Sequence, residues 1–166
     1  MKNKLIFLVS IFFLYISEVN TLAVEDFIFE SKSIEIENDN NIIAKDGVKV
    51  TTSDGLEIFA DKSEYNKKTK VLKLNGNVKI FDKIQNFEIN SNNIIYDKIL
   101  EKITSKSKTK ILINNSHIIS GNDIIFFKSK LEIESNKPST IEDKFDNLIK
   151  LKEFNYSANT CLLYTS

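Results

Sequence analysis

The sequence predicts an all-β chain of repeated short antiparallel strands, on three observations. Apolar residues recur at a period of two, pairs built from Asn, Asp and Gly punctuate that alternation, and one pattern returns at residues 33, 63, 93 and 123.

The alternation comes first because it sets the local structure. Val48 and Val50, Leu56 and Ile58, Leu72 and Leu74, Val78 and Ile80, Phe87 and Ile89, and Ile111 and Ile113 stand two apart. Lys, Glu, Asn or Thr hold most of the positions between and beside them. Such spacing puts one face of each strand on apolar material and the other in water. The turn signals are Asp46-Gly47, Asp54-Gly55, Asn75-Gly76, Asn114-Asn115 and Asp146-Asn147, between or within strands. With four glycines and one proline in the chain, Asn and Asp have to make most turns, which their tolerance of left-handed geometry allows. A helical reading of residues 142–154 yields to a last hairpin, since Ile149 and Leu151 alternate after Asp146-Asn147.

The repeat opens with Ser33-Ile34-Glu35-Ile36, Ser63-Glu64-Tyr65, Asn93-Ile94-Ile95-Tyr96 and Asp123-Ile124-Ile125-Phe126. A second element recurs as Gly47-Val48-Lys49-Val50, Gly76-Asn77-Val78-Lys79-Ile80 and Lys108-Thr109-Lys110-Ile111, and a third as Leu56-Glu57-Ile58, Phe87-Glu88-Ile89 and His117-Ile118-Ile119. About three short strands per unit, stacked on the next, predict a β-solenoid-like or jelly-roll architecture. No unit buries its apolar face alone, so the units share a continuous inner surface. Periodicity leaves two outcomes open: side chains fill the interior, or the sheets splay and leave an elongated slot.

Composition narrows the class. Of 166 residues, 42% are hydrophobic and 28% charged, which supplies a core and excludes a disordered chain. The 23 basic and 23 acidic residues balance and form no basic stripe, which argues against nucleic acid. The single cysteine, Cys161, excludes a disulfide framework and a cysteine zinc site. Lys2 and Lys4, the apolar run Leu5–Ile16 and Thr21-Leu22-Ala23 read as a cleaved signal peptide over residues 1–23. That run is shorter than the roughly 20 residues a spanning helix needs.

Candidate catalytic and metal-binding positions are few. His117, flanked by Ser116 and Ile118, has no arranged partners and reads as a strand histidine. Asp61, Asp97 and Asp123 recur at unit boundaries without the glycine ladder of calcium-binding rolls, so they read as turn formers. Asn114-Asn115-Ser116 and Asn155-Tyr156-Ser157 fit the glycosylation sequon, a pattern common by chance. The clustered acids and bases of a glycan-degrading β-helix enzyme are missing. The expectation is a non-enzymatic protein with no cofactor and no metal.

Ala60-Asp61-Lys62-Ser63-Glu64-Tyr65 followed by Leu72-Lys73-Leu74-Asn75-Gly76-Asn77-Val78-Lys79-Ile80 resembles the repeat of the OstA-like proteins of lipopolysaccharide transport, and Ser91-Asn92-Asn93-Ile94-Ile95-Tyr96-Asp97 is a degenerate second copy. The likeness covers about residues 27–135; its third unit departs, with Ser107-Lys108-Thr109 where Gly-Asn-Val would stand. This resemblance implies a V-shaped β-jelly roll over residues 24–138, located in the periplasm against the outer membrane. It implies lipopolysaccharide as ligand, with acyl chains against Val48, Val50, Leu56, Ile58, Leu72, Leu74, Val78, Ile80, Phe87, Ile89, Ile111 and Ile113. It also implies partnership with other jelly-roll proteins of the system by edge-strand pairing. The tail Ser139–Asp143 through Phe154-Asn155-Tyr156 is similar to the segment that leads towards a barrel in the family's outer-membrane assembly branch, whose further partner is an outer-membrane lipoprotein; the free-standing periplasmic bridge is the sibling branch. Residues 139–159 are thus expected as a final hairpin or a lead-in to a missing barrel. Residues 160–166 break the alternation and resemble translated adapter sequence, a non-native tail on a truncated frame. The contrasting expectation is a structural or adhesive β-solenoid surface protein with a sealed core.

Overall fold

A computed structural model describes residues 19–24 and 27–165; the expected leader lies outside it except for residues 19–23. Fifteen strands are present among the described residues. They are β1 (Asn20–Val24), β2 (Phe27–Glu37), β3 (Asn41–Thr52), β4 (Leu56–Asn66), β5 (Val71–Asp82), β6 (Phe87–Asp97), β7 (Lys102–Ser105), β8 (Thr109–Ile113), β9 (His117–Gly121), β10 (Ile124–Phe127), β11 (Glu132–Ser135), β12 (Ser139–Asp143), β13 (Leu148–Leu151), β14 (Phe154–Ser157) and β15 (Leu162–Thr165). Every pairing is antiparallel. The fold is the all-β jelly roll that the alternation and the resemblance predict, with one difference in strand length. β2 to β6 run for 11 or 12 residues. Asp46-Gly47 and Gly76-Asn77 lie inside β3 and β5 as bulges, each with both residues at positive φ. A bulge and a tight turn draw on the same left-handed residues, which is why the sequence reads as shorter strands there.

Each bulge bends its strand, and the bends line up into a seam that divides the sheet into two layers. Layer I holds β1, the first halves of β2, β4 and β6, the second halves of β3 and β5, and then β8, β9, β12 and β13. Layer II holds the other halves, followed by β7, β10, β11, β14 and β15. β6 is where the layers part: Phe87–Asn90 pair with β8, and Ile95–Asp97 pair with β7. From there the chain crosses the seam between strands, not within them. The repeat positions 33, 63 and 93 open the layer II halves of β2, β4 and β6, and 123 stands just before β10. The repeat length is thus one out-and-back pair of strands.

Side-chain size across the layers explains the wedge. Inward positions beside the seam are mostly small: Ser31, Ala44, Ala60, Ser63, Ser105, Thr109, Gly121, Ser135 and Ser139. Two or four residues further out they become Phe27, Leu56, Tyr65, Phe87, Tyr96, Phe126 and Tyr156. Small residues let the backbones close on one side while aromatics hold the layers apart on the other. Phe27 of layer I meets Tyr65 of layer II at 4.7 Å between ring centroids, and Phe87 meets Phe126 edge-on at 4.8 Å.

At the seam the small residues also settle backbone and hydroxyl needs. Ser91 Oγ lies 2.8 Å from both Ser105 Oγ and Ser107 Oγ and 3.0 Å from Thr109 Oγ1. Ser135 and Ser139 donate to the carbonyls of Asn122 and Lys137. β12 and β13 pair as a hairpin around Asp146-Asn147, and β14 and β15 follow and add to the edge of layer II.

Candidate functional site

Register builds the interior into two unbroken rows. In layer I, Leu22, Phe29, Val50, Ile58, Ile80, Ile89, Ile111, Ile119, Ile141 and Ile149 are consecutive cross-strand partners from β1 to β13. In layer II, Ile36, Ile42, Tyr65, Leu72, Tyr96, Ile103, Phe126, Ile133, Tyr156 and Leu163 do the same from β2 to β15. Period-two alternation on every strand, with matched register, makes this geometry unavoidable. The middles of both rows are buried. Their ends are not: Ile36 is 55% exposed and Ile149 48%.

All twelve sequence-predicted lining residues face the interior and are buried. Ten of them form the layer I wall, and Leu72 and Leu74 stand on layer II. The reading of the sequence therefore found one wall and largely missed the other, built from Ile42, Tyr65, Ile94, Tyr96, Ile103, Ile124, Phe126, Ile133, Phe154 and Tyr156. A signal for it was present. Tyr65, Tyr96, Phe126 and Tyr156 sit at matching places of the repeat, and Glu153-Phe154-Asn155-Tyr156 is a fifth copy of the opening pattern.

Opposite the seam, the turns of the two layers approach each other and form a mouth. There Asp54, in the turn after β3, reaches from layer I to two lysines of layer II. Lys98 Nζ lies 3.0 Å from Asp54 Oδ1, and Lys128 Nζ donates to Asp54 Oδ2 at 2.9 Å. Asp82, at the end of β5, brings its Oδ2 to 3.7 Å from Lys128 Nζ. Its Oδ1 accepts from the backbone N–H groups of Ile84 and Gln85, at 2.9 and 2.8 Å. The cluster is neutral and largely dry: the Lys128 side chain is 6% exposed and that of Asp82 1%. Burial by itself would raise the Asp54 pKa. Hydrogen bonds from Thr52, Lys128 and Lys98 outweigh it and hold the carboxyl well below the usual carboxylate range. Burial likewise works to lower the Lys128 pKa, while Asp54, Asp82 and Glu101 raise it above that of an ordinary lysine. No sequence signal marks this cluster, whose members lie up to 74 positions apart.

Exposed apolar side chains fringe the same mouth. Ile84, Ile99, Leu100 and Phe145 occupy turn tips, and Lys144 Nζ stands 5.0 Å over the Phe145 ring.

The remaining candidates have structural roles. Asp97 caps its turn by accepting from the N–H groups of Ile99 and Leu100. Asp61 lies at the seam and accepts from Asn77 Nδ2 at 2.9 Å, and Asp123 turns the corner into β10 at positive φ. His117 pairs its Nδ1 with Ser116 Oγ at 2.8 Å, with its ring 6.0 Å from that of Tyr156. Among the described residues, no three His, Cys, Asp or Glu side chains converge on a metal site, and no helix is long and apolar enough to cross a membrane.

Residues 22–146 match the family model described as OstA-like protein. No curated protein matches the chain.

Proposed function

The chain belongs to the OstA-like protein family, and from that premise we propose that it is a periplasmic conduit that binds lipopolysaccharide and passes its acyl chains along the apolar interior towards the outer membrane. A role in the lipopolysaccharide transport family and a place in the cell envelope go with membership. The observation that carries the finer reading is the pair of registered rows. Acyl chains are held by apolar burial, about 0.8 kcal/mol per CH₂, without directional chemistry. A row of near-equivalent aliphatic positions from edge to edge therefore offers a lipid neighbouring sites of similar energy. Seam and mouth also differ as a lipid carrier requires, with a fixed spine on one side and aromatics, charges and exposed apolar tips on the other.

The twelve proposed contacts are packed against the facing layer, so lipid enters by parting the layers at the mouth. Partners follow from the open ends of the sheet. The outer edge of β13 and the layer II half of β2 have no strand beyond them among the described residues. Such edges suit pairing with another jelly roll of the system. Two family settings remain distinct in consequence: in an LptD-like protein this domain precedes a barrel and joins an outer-membrane lipoprotein, and in an LptA-like protein it bridges the periplasm alone.

A photo-crosslinking residue at Val78 or Ile89 tests the conduit in cells. Lipopolysaccharide adducts at both, and none at the outward Lys79, are the expected result. A structural or adhesive sealed roll predicts no lipid adduct at any inward position.

A further inference from the structure

The mouth cluster holds a carboxylate between two lysine ammonium groups, and that arrangement has a use beyond closing the roll. We propose that Lys98 and Lys128 form a phosphate-binding site for the head of the lipid, with Asp54 as the internal anion that occupies the site until a phosphate displaces it. The inference rests on the conduit reading and names the part of the ligand that the mouth recognises.

Four features support it. Lys98 and Lys128 come from different turns of layer II and converge on one carboxylate, each on its own oxygen, at 3.0 and 2.9 Å, so the two ammonium groups already share one oxyanion. Asp54 is the most replaceable member: its side chain is 29% exposed, against 6% for Lys128, and it sits in a turn between Ser53 and Gly55. Asp82 is not replaceable in the same way. Its Oδ1 is fixed by two backbone donors, and its buried Oδ2, which has no hydrogen-bond partner, lies 3.7 Å from Lys128 Nζ. It holds that lysine in place when Asp54 leaves. A phosphomonoester brings a charge of about −1.5 to −2 at neutral pH against the single charge of Asp54, so exchange increases the attraction to the lysine pair.

The surroundings fit an amphiphile better than a free anion. Ile99 and Leu100 follow Lys98 directly and are exposed, Ile84 stands at the facing turn, and the Phe87–Phe126 pair lies inward of the lysines. A phosphate on the lysines would leave attached acyl chains pointing past these rings into the two rows. Exchange also removes both Asp54 ties between the layers and leaves only the longer Asp82–Lys128 contact at this point of the mouth, so head binding loosens the closure there.

The test uses two short-chain diacyl glycolipids, identical except for one phosphomonoester, titrated calorimetrically below their micelle concentrations. The expected result is that the phosphorylated lipid binds about ten-fold tighter. Asp54→Asn, which keeps the shape and removes the competing charge, should tighten the phosphorylated lipid several-fold further and leave the other unchanged. Lys98→Gln, at the less buried lysine, should remove most of the preference. Inorganic phosphate is the third probe. Competition by it places the recognition in the phosphate alone, and failure to compete places it in phosphate presented on a lipid; both support the site. Equal binding of the two lipids by the native chain overturns the phosphate site and leaves the conduit standing. So does an Asp54→Asn variant that affects both lipids alike. No binding of either lipid overturns both.

Discussion

The chain solves one problem, crossing between two layers, in two ways. In the first half, β2 to β6 pass the seam as continuous strands, and the ladders on either side of each bulge stay hydrogen-bonded to the same neighbour. In the second half the crossings are made by residues 106–108, 122–123, 136–138 and 152–153, outside any strand. The local sequence accounts for the change. Asp46-Gly47 and Gly76-Asn77 supply two consecutive positive-φ residues at the bulges of β3 and β5. The third unit has Ser107-Lys108-Thr109 instead, and the crossing at residues 136–138 ends in Pro138, which cannot donate to a ladder. Serine and threonine hydroxyls then replace backbone pairing along the seam. The first half has a spine of strands, and the second has a spine of side-chain hydrogen bonds.

The largest effects that test this contrast come from the rows. Ile80 and Ile119 are both fully buried, each between two aliphatic partners in register. Ile80→Ala and Ile119→Ala should each cost about 2–5 kcal/mol, read from urea unfolding. Ile119→Ala should fall at the lower end, because short strands joined by loops relax into a cavity more readily. A larger loss at Ile119 than at Ile80 would break the contrast.

Glycines give the next comparison. Gly76 has φ +76° inside the β5 bulge, and a methyl group there would collide with the Asp61 side chain, including its Cβ. Gly121, at the end of β9, has no such φ, and its methyl would meet chiefly Ser139 Oγ. Gly76→Ala should cost about 2 kcal/mol and Gly121→Ala about 1 kcal/mol. A reversed order in thermal unfolding would show that the bulge is not what sets the first half's spine. Ser91→Ala, which removes the centre of the hydroxyl cluster, should cost about 1 kcal/mol.

Much of this was legible in the residues. The alternation placed ten of the twelve named lining side chains on one wall, and the repeat positions 33, 63 and 93 fall where strands enter layer II. The departure at Ser107-Lys108-Thr109 marked the place where crossings change type. Strand length was not legible, because Asp46-Gly47 uses at a bulge the same backbone freedom that Asp54-Gly55 uses at a turn. The second wall was hidden for another reason. Tyr65 and Tyr96 end the opening element of their repeats; polar Ser63 precedes the first and the exposed Ile95 stands between Ile94 and the second, so the alternation is blurred there. The mouth cluster was beyond reach: Asp54, Asp82, Lys98 and Lys128 are ordinary surface residue types whose meeting depends on how the layers close.

Electrostatics separates mouth from outer surface, and here the expected effects are smallest in ordinary buffers. Asp54 has a lowered pKa in the fold, so its contribution is fully present above the unfolded value of 3.8 and is lost as pH falls through the folded one. Lys128 has a raised pKa, so its contribution is fully present below 10.5 and is lost as pH rises through the folded value. The mouth cluster should therefore add the same stability throughout the range between those two values. Below it, the melting temperature should drop, and Asp54→Asn should flatten that drop. The exposed pair Lys45–Glu35, 3.1 Å apart on the outer face of layer II, makes the control. Glu35→Gln should change stability by less than about 0.5 kcal/mol and leave the acid slope as it was. If Glu35→Gln flattens the slope as much as Asp54→Asn does, acid sensitivity belongs to the whole surface, and the mouth has no special part in holding the layers together.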